Sequence, residues 1–285
     1  MLMQPETKID FLIIGAAKCA TTWLQMSLAE NPSVFMPEPE LHYFSREYHR
    51  GSDWYRAQFA EAGAATIIGE KSNSYLTEEP SAERIAHDLP HVKLIVQLRD
   101  PVQRAYSSYC MHLRRGAVTK DIRRYLDPDR KADGDRFLDR GLYAHHLQKF
   151  RDLFGDDRIL VLDFDRIRHA PEAQAQLVAD HIGLGQALVP PVKDRVKDKT
   201  QAIVPPGVRG ALAPMRRVLD PVRHTWPVQR LRNLVANEVS YPPLPPDLAA
   251  KMADFFQADL AALRQFAPHV GKGWPTATSL EPSYA

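Results

Sequence analysis

Apolar and polar positions along the chain follow two alternating periods. Residues 11–15 (FLIIG) form a short apolar, β-branched run that stops at a glycine, and the stretch after it sets Trp23, Leu24 and Leu28 at helical spacing before Pro32. This predicts strand, loop and helix. Residues 35–44, rich in proline and aromatics, follow neither period and predict an irregular loop of the kind that lines binding sites. The pattern then repeats. ATIIGEKSNSY runs from apolar into polar residues, 81–88 reads as a helix with Ser81 as N-cap, and 91–98 (HVKLIVQL) is the clearest strand. Asp100 and Pro101 supply an N-cap and a first-turn proline to the amphipathic helix that follows. Further on, helices are predicted over 143–154 and 171–182, with an apolar strand over 158–164 between them. Residues 246–266 predict a last helix with Asp247 as N-cap.

Strands that alternate with helices pair in parallel, because each crossover must return on the same side and its helix must cover a face of the sheet. The expected fold class is therefore α/β, with three layers and a central, mainly parallel sheet flanked by helices. One domain is expected over 1–285: a core over about 9–185, a basic, proline-containing loop or insertion over about 189–245, and the C-terminal helix over about 246–267. The basic segment, with KDRVKDK and MRRVLDPVR, reads equally as a loop covering a cofactor or as a solvated insertion.

Composition narrows the classes. A hydrophobic fraction of 44% with 25% charged residues is that of an ordinary globular domain. A net charge of only +2 argues against nucleic acid as a partner. Two cysteines, Cys19 and Cys110, make no disulfide framework. No apolar run approaches the roughly 20 residues of a transmembrane helix, and the start MLMQPETKID lacks the pattern of a signal peptide. A reducing, cytoplasmic setting is expected.

Three constellations carry candidate chemistry. The first is GAAKCATT: Gly15, Ala16, Ala17, Lys18, Cys19, Ala20, Thr21 and Thr22, between a strand and a helix. Amides at a helix start, the positive end of its dipole, a lysine and two hydroxyls together suit a phosphate or sulfate. The spacing is not that of a Walker loop, which demotes ATP chemistry; the bland reading is a plain strand-to-helix turn. The second is Arg99 at the end of the clearest strand, with Ser107 on the following helix. In a parallel sheet both constellations fall in the crevice beyond the carboxyl ends, where one ligand with two anionic groups would meet Lys18 and Arg99. Alone, Arg99 reads as well as a surface ion pair. The third is GEKSNSY, whose Glu70 follows an apolar strand on the same rim, as a base or as the partner of Lys71. His145 and His146 are adjacent and face apart on a helix, so no metal site is expected.

These residues carry a resemblance. FLIIGAAKCATTWLQMSLAENP resembles the 5′-phosphosulfate loop of sulfotransferases that use 3′-phosphoadenosine-5′-phosphosulfate (PAPS), and KLIVQLRDPVQRAYSSY resembles their 3′-phosphate motif. GEKSNSYL and ELHYFS resemble the acceptor-side motifs of the branch with heparan sulfate N- and O-sulfotransferases and many bacterial relatives. RGLYAHHLQKFRDLFGDDRILVLDF is similar to the segment that follows in that branch. The resemblance implies a P-loop-like sulfotransferase fold, PAPS as donor, adenosine 3′,5′-bisphosphate as product, and no required metal. It implies donor contacts from 15–23, Trp23 included, with Lys18 steadying charge on the leaving phosphate oxygen and Arg99 and Ser107 on the 3′-phosphate. It further implies Glu70 as general base with His42 as the alternative, and Lys71, His42, Tyr43 and Phe44 toward the acceptor. Lys197 and Lys199 fall where relatives have a loop closing over the nucleotide. The acceptor implied is a hydroxyl or amine of a glycan, with a lipid or small molecule as alternatives. The rival readings are a P-loop-like nucleotide kinase or hydrolase and a non-catalytic nucleotide-binding module. One departure is local: Cys19 and Ala20 stand where many relatives have small residues and glycine, so a position needing positive φ would be strained by alanine.

Overall fold

Every strand pairing among the described residues is parallel. The computed structural model describes residues 8–130, 136–186, 188 and 240–274, so the basic segment with Lys197 and Lys199 lies outside the described residues. Five strands, β1 (Phe11–Gly15), β2 (Val34–Phe35), β3 (Ile67–Lys71), β4 (Lys93–Leu98) and β5 (Ile159–Asp163), lie in the order β2-β3-β1-β4-β5. The chain leaves β1 for the β3 side of the sheet and later returns to pair β4 on the other side. The loops after β1, β3 and β4 therefore meet at one carboxyl-end crevice.

Strand alternation sorts the core into two layers. Phe11, Ile13 and Ile95 face one side and pack with Trp23, Leu24 and Leu28 of α1 (Thr21–Ala29) and with Ala175, Val178 and Ile182 of a helix at Pro171–Ile182. Leu12, Ile14, Leu94 and Val96 face the other. There they meet Ile85 of the helix Ser81–Asp88, Val102 and Ala105 of Pro101–Arg114, Leu147 and Phe150 of Tyr143–Phe154, and Met252 and Phe256 of Pro246–Phe266. In chain order the described helices are α1, α2 (Gly51–Ala57), α3 (Ser81–Asp88), α4 (Pro101–Arg114), α5 (Ile122–Leu126), α6 (Tyr143–Phe154), α7 (Arg166–His169), α8 (Pro171–Ile182) and α9 (Pro246–Phe266). Each fully buried aliphatic or aromatic side chain contributes about 1.5–3 kcal/mol, so two largely apolar layers hold the sheet between them. Close packing dictates one glycine: a Cβ on Gly69 would stand 2.4 Å from the ring of Phe11 on the neighbouring strand.

Local chemistry accounts for some element boundaries. Asp100 caps α4 as expected, accepting from the Val102 amide at 2.9 Å. Two expected caps differ. Ser81 is the first residue inside α3 and gives its hydroxyl to the Glu78 carbonyl, and Asp247 lies in the first turn of α9 behind Pro246, where Arg123 binds it at 2.7 Å. The proline-aromatic stretch contributes the edge strand β2 and leads into a single π-turn at Tyr43–Glu47, so it is more ordered than its pattern predicts. Packing supplies that order. Tyr43 stacks on Tyr55 with ring centroids 4.4 Å apart, and Phe44 meets Tyr55 and Tyr75 edge-on at 5.2 and 5.4 Å.

Candidate active site

The donor side is built by backbone. After β1 the chain turns at Gly15, where a Cβ would approach Leu76 to 3.0 Å, and Ala16 is held by its amide to the Gln97 carbonyl of β4 at 2.9 Å. Lys18 (φ 75) and Ala20 (φ 58) both adopt left-handed backbone before α1 begins. For residues with a Cβ this costs about 1–2 kcal/mol each, so the strain expected at Ala20 is present and extends to Lys18. Ala20, Thr21 and Thr22 at the start of α1 donate their amides to no backbone carbonyl among the described residues, which leaves a cluster of N–H groups at the positive end of the helix dipole. Lys18 lays its Nζ 3.7 Å from Met111 Sδ. Met111 is one turn beyond Ser107 on α4, so the lysine reaches along the helix face that carries Ser107.

Arg99 follows β4 on the same rim. Its guanidinium lies 4.7 Å over the Phe164 ring, and its carbonyl accepts from the Tyr143 hydroxyl at 2.8 Å. That tyrosine also touches the Cys19 thiol at 3.9 Å, tying the Arg99 turn to the loop after β1. Burial pushes the Cys19 thiol up to about 11, against the pull of Arg104 and Arg99, so it is a packed thiol rather than a nucleophile. Trp23 departs from its expected role, because its ring is buried with Ile13 and Leu28 in the core and its amide is bonded to the Ala20 carbonyl.

The acceptor side is built by side chains, and a carboxylate not singled out by sequence stands at its centre. Glu40 Oε1 lies 3.0 Å from Lys71 Nζ, and its two oxygens accept from the amide and the side chain of Asn73, each at 3.0 Å. Asn73 Oδ1 in turn accepts from the Thr21 hydroxyl at 2.8 Å. A continuous hydrogen-bonded run, Thr21–Asn73–Glu40–Lys71, thus joins the first turn of α1 to the end of β3. His42, at φ 52, places Nε2 3.8 Å from Glu40 Oε2 and Nδ1 2.7 Å from Ser74 Oγ. Burial lowers its pKa below 6.5 despite the Glu40 charge, which keeps the imidazole neutral at pH 7.

Glu70 occupies a different environment from the one its place in the sequence suggests. Successive strand residues point to opposite faces, so Glu70 turns into the core layer under α2 while Lys71, at the strand end, reaches Glu40. Glu70 is wholly buried. Its Oε1 accepts from Tyr75 at 2.6 Å and Tyr55 at 3.1 Å, and its Oε2 accepts from Ser72 at 2.8 Å. Burial raises its carboxyl to about 7 in spite of these three hydroxyls. That value would suit a general base, but in this structure the carboxylate is enclosed by its own three hydroxyl donors. Glu40 and His42, with side chains 25% and 30% exposed, are the open groups. Tyr43 and Phe44 are likewise corrected: at 2% and 0% exposure they are core residues beneath the site and do not line it.

Other polar features lie elsewhere. A cavity of about 630 Å³ opens among α3, α6 and α9, lined in part by Glu78, His146, Lys149 and Asp259; Lys18, Glu40 and Arg99 do not line it. Among the described residues no three acidic, histidine or cysteine side chains converge as metal ligands, and no helix is long and apolar enough to cross a membrane.

Comparison with known proteins identifies the family and the fold. Mouse bifunctional heparan sulfate N-deacetylase/N-sulfotransferase 4 is 31% identical over 193 residues, which cover 61% of this chain and 22% of that protein. Mouse heparan sulfate glucosamine 3-O-sulfotransferase 3B1 is 31% identical over 177 residues, 61% of this chain and 45% of the relative. The chain thus spans less than half the length of these curated relatives. In fold it is similar to the crystal structure of a sulfotransferase from Alicyclobacillus acidocaldarius, with a TM-score of 0.65 over 91% of this chain and 95% of that one at 21% identity. Residues 8–203, which include the loop after β1, the Glu40 and Lys71 cluster and the Arg99 turn, match the sulfotransferase domain, and the chain belongs to that family.

Proposed function

We propose that this chain is a PAPS-dependent sulfotransferase that acts on a hydroxyl or amine of a glycan, with Glu40 as general base. The observation that carries the reading is the run Thr21–Asn73–Glu40–Lys71, which places a partly open carboxylate two hydrogen bonds from the anion-binding turn of α1. When bound, PAPS supplies the sulfuryl group. Arg99 and Ser107 would hold its 3′-phosphate, and the α1 amides with Lys18, Thr21 and Thr22 its phosphosulfate, an arrangement that fits two anions on one crevice.

Each residue then has a task set by its surroundings. Lys18 and the amides counter charge on the departing side, by electrostatics already in place before reaction. Glu40 takes the acceptor's proton. Lys71, only 5% exposed, orients Glu40 through their 3.0 Å ion pair, and neutral His42 directs Nε2 toward Glu40 Oε2 at 3.8 Å. Ser45, Arg46 and His42 make the neighbouring surface polar, with Arg46 fixed to Glu78 at 3.0 Å, which suits a sugar better than a lipid. The heparan sulfate relatives support the glycan class.

Calorimetry with adenosine 3′,5′-bisphosphate, ATP and adenosine 5′-monophosphate, followed by a transfer assay with PAPS on oligosaccharides bearing hydroxyls and amines, tests the proposal. The expected result is selective binding of the bisphosphate and transfer to a sugar. Tighter binding of ATP would overturn the donor assignment; transfer only to a lipid or phenol would overturn the acceptor class.

A further inference from the structure

The loop after β1 holds a shape that its residues do not favour. Lys18 and Ala20, on either side of Cys19, are both left-handed although each carries a Cβ, and in the sequence no glycine follows the lysine to relax the turn. Something outside the loop must hold Cys19 between them. The Cys19 carbonyl accepts a hydrogen bond from Gln97 Nε2, and the Gln97 carbonyl accepts the Ala16 amide at 2.9 Å, so one residue of β4 grips the loop at two points. Gln97 could turn its amide around and present oxygen to oxygen. Gln174 of α8 favours the observed orientation by donating Nε2 to Gln97 Oε1 at 3.1 Å. Both glutamines are fully buried in an otherwise apolar layer, where an amide without a role would be a cost, and Gln174 Oε1 has no partner among the described residues.

We infer that Gln97 and Gln174 are positioning residues for donor binding, a buried amide relay that holds the phosphosulfate loop in its left-handed form in place of the missing glycines. The inference rests on the donor-site reading above. Gln97 lies on β4 two residues before Arg99, which follows the strand end, so the relay also bears on the spacing between the two anion subsites. Neither glutamine touches the reacting atoms as placed here; both act through the Cys19 carbonyl.

Two readouts test this, one with ligand and one without. In Gln97→Met, checked by circular dichroism to be folded, the Kd for adenosine 3′,5′-bisphosphate and the KM for PAPS rise about tenfold or more, while kcat stays within about threefold. Adding Ala20→Gly to that variant brings the Kd back to within about threefold of wild type, because glycine holds the left-handed turn unaided. Gln174→Met gives the same pattern more weakly, and serves if Gln97→Met does not fold. The second readout is alkylation of Cys19 followed by peptide mass spectrometry under native conditions: about tenfold faster in Gln97→Met, slowed again by Ala20→Gly. Unchanged Kd and labelling in a folded Gln97→Met, or loss that Ala20→Gly does not repair, overturns the relay. If the wild type binds no bisphosphate the donor reading fails, and the labelling series still decides whether the relay holds the loop.

Discussion

The two sides of the crevice are held in place by different means. On the proposed donor side the candidate groups are backbone amides, and their placement depends on the left-handed φ angles of two side-chain-bearing residues, Lys18 and Ala20. On the acceptor side the working groups are side chains, Glu40, Lys71 and His42, set upon a buried polar hub. There the Glu70 carboxylate gathers Tyr55, Tyr75 and Ser72, and Ser72 Oγ accepts the His42 amide at 2.9 Å. The difference teaches how two glutamates near one lysine take separate roles. Glu70 is enclosed and bonded to Ser72 and Tyr75 of the following loop; Glu40 is partly open. A carboxylate that organises a site must be saturated with donors, and one that takes a proton must keep room for a substrate.

Substitutions can break or sharpen that division. The largest effect is expected from Glu40→Gln, which lowers kcat about 10²–10⁴-fold and leaves adenosine 3′,5′-bisphosphate binding intact by calorimetry; the reverse ranking, with Glu70→Gln abolishing turnover and Glu40→Gln silent, would restore Glu70 as the base. Next, Arg99→Ala weakens the bisphosphate by more than about tenfold, ~1.4 kcal/mol, with little change in the binding of adenosine 5′-monophosphate.

Glu70→Gln follows, and its signature is in stability. Burial raises the folded-state pKa of Glu70 from 4.5 to about 7, so the folded protein binds this proton more tightly than the unfolded chain. The stability tied to that proton is full below pH 4.5, declines as pH rises to about 7 and is level above. Urea unfolding between pH 4 and 8 should show wild type losing on the order of 3 kcal/mol more than Glu70→Gln over that window. A parallel pH profile for the two proteins would mean that Glu70 titrates normally and is not enclosed. The smallest effect is expected from Tyr43→Phe: stability within about 0.5 kcal/mol and an unchanged KM for acceptor. A tenfold rise in that KM would return Tyr43 to the cleft.

The residues differ in how far their roles could be read from the chain. Strands with a continuous apolar run and a clear stop, such as β1 and β4, were legible because full burial on both faces demands such runs. Asp100 and Pro101 announced α4 through chemistry that acts within one turn. Lys18, Arg99 and Ser107 were legible as anion-binding candidates, since their place after strand ends is itself a statement about the crevice. Glu40 carried a signal, two residues before His42 in ELHYFS, but its aromatic neighbours drew the reading toward acceptor contact. Asn73 and Gln97 carried none: an amide inside a polar turn or an apolar strand gives no sign of its partner.

By itself, then, the sequence determined the alternation of elements and the parallel three-layer architecture, and named candidates for the donor end of the site, all from periodicity and from residues next to one another in the chain. Tertiary structure alone decided which glutamate is enclosed, that Tyr43 and Phe44 belong to the core, and that Gln97 and Gln174 grip the loop. Those facts depend on which face of a strand a side chain takes and on contacts across the fold, such as Asn73 with Glu40 and Gln174 with Gln97. Local sequence constrains backbone conformation over a few residues, whereas burial and hydrogen-bond partnership are fixed only when distant segments pack.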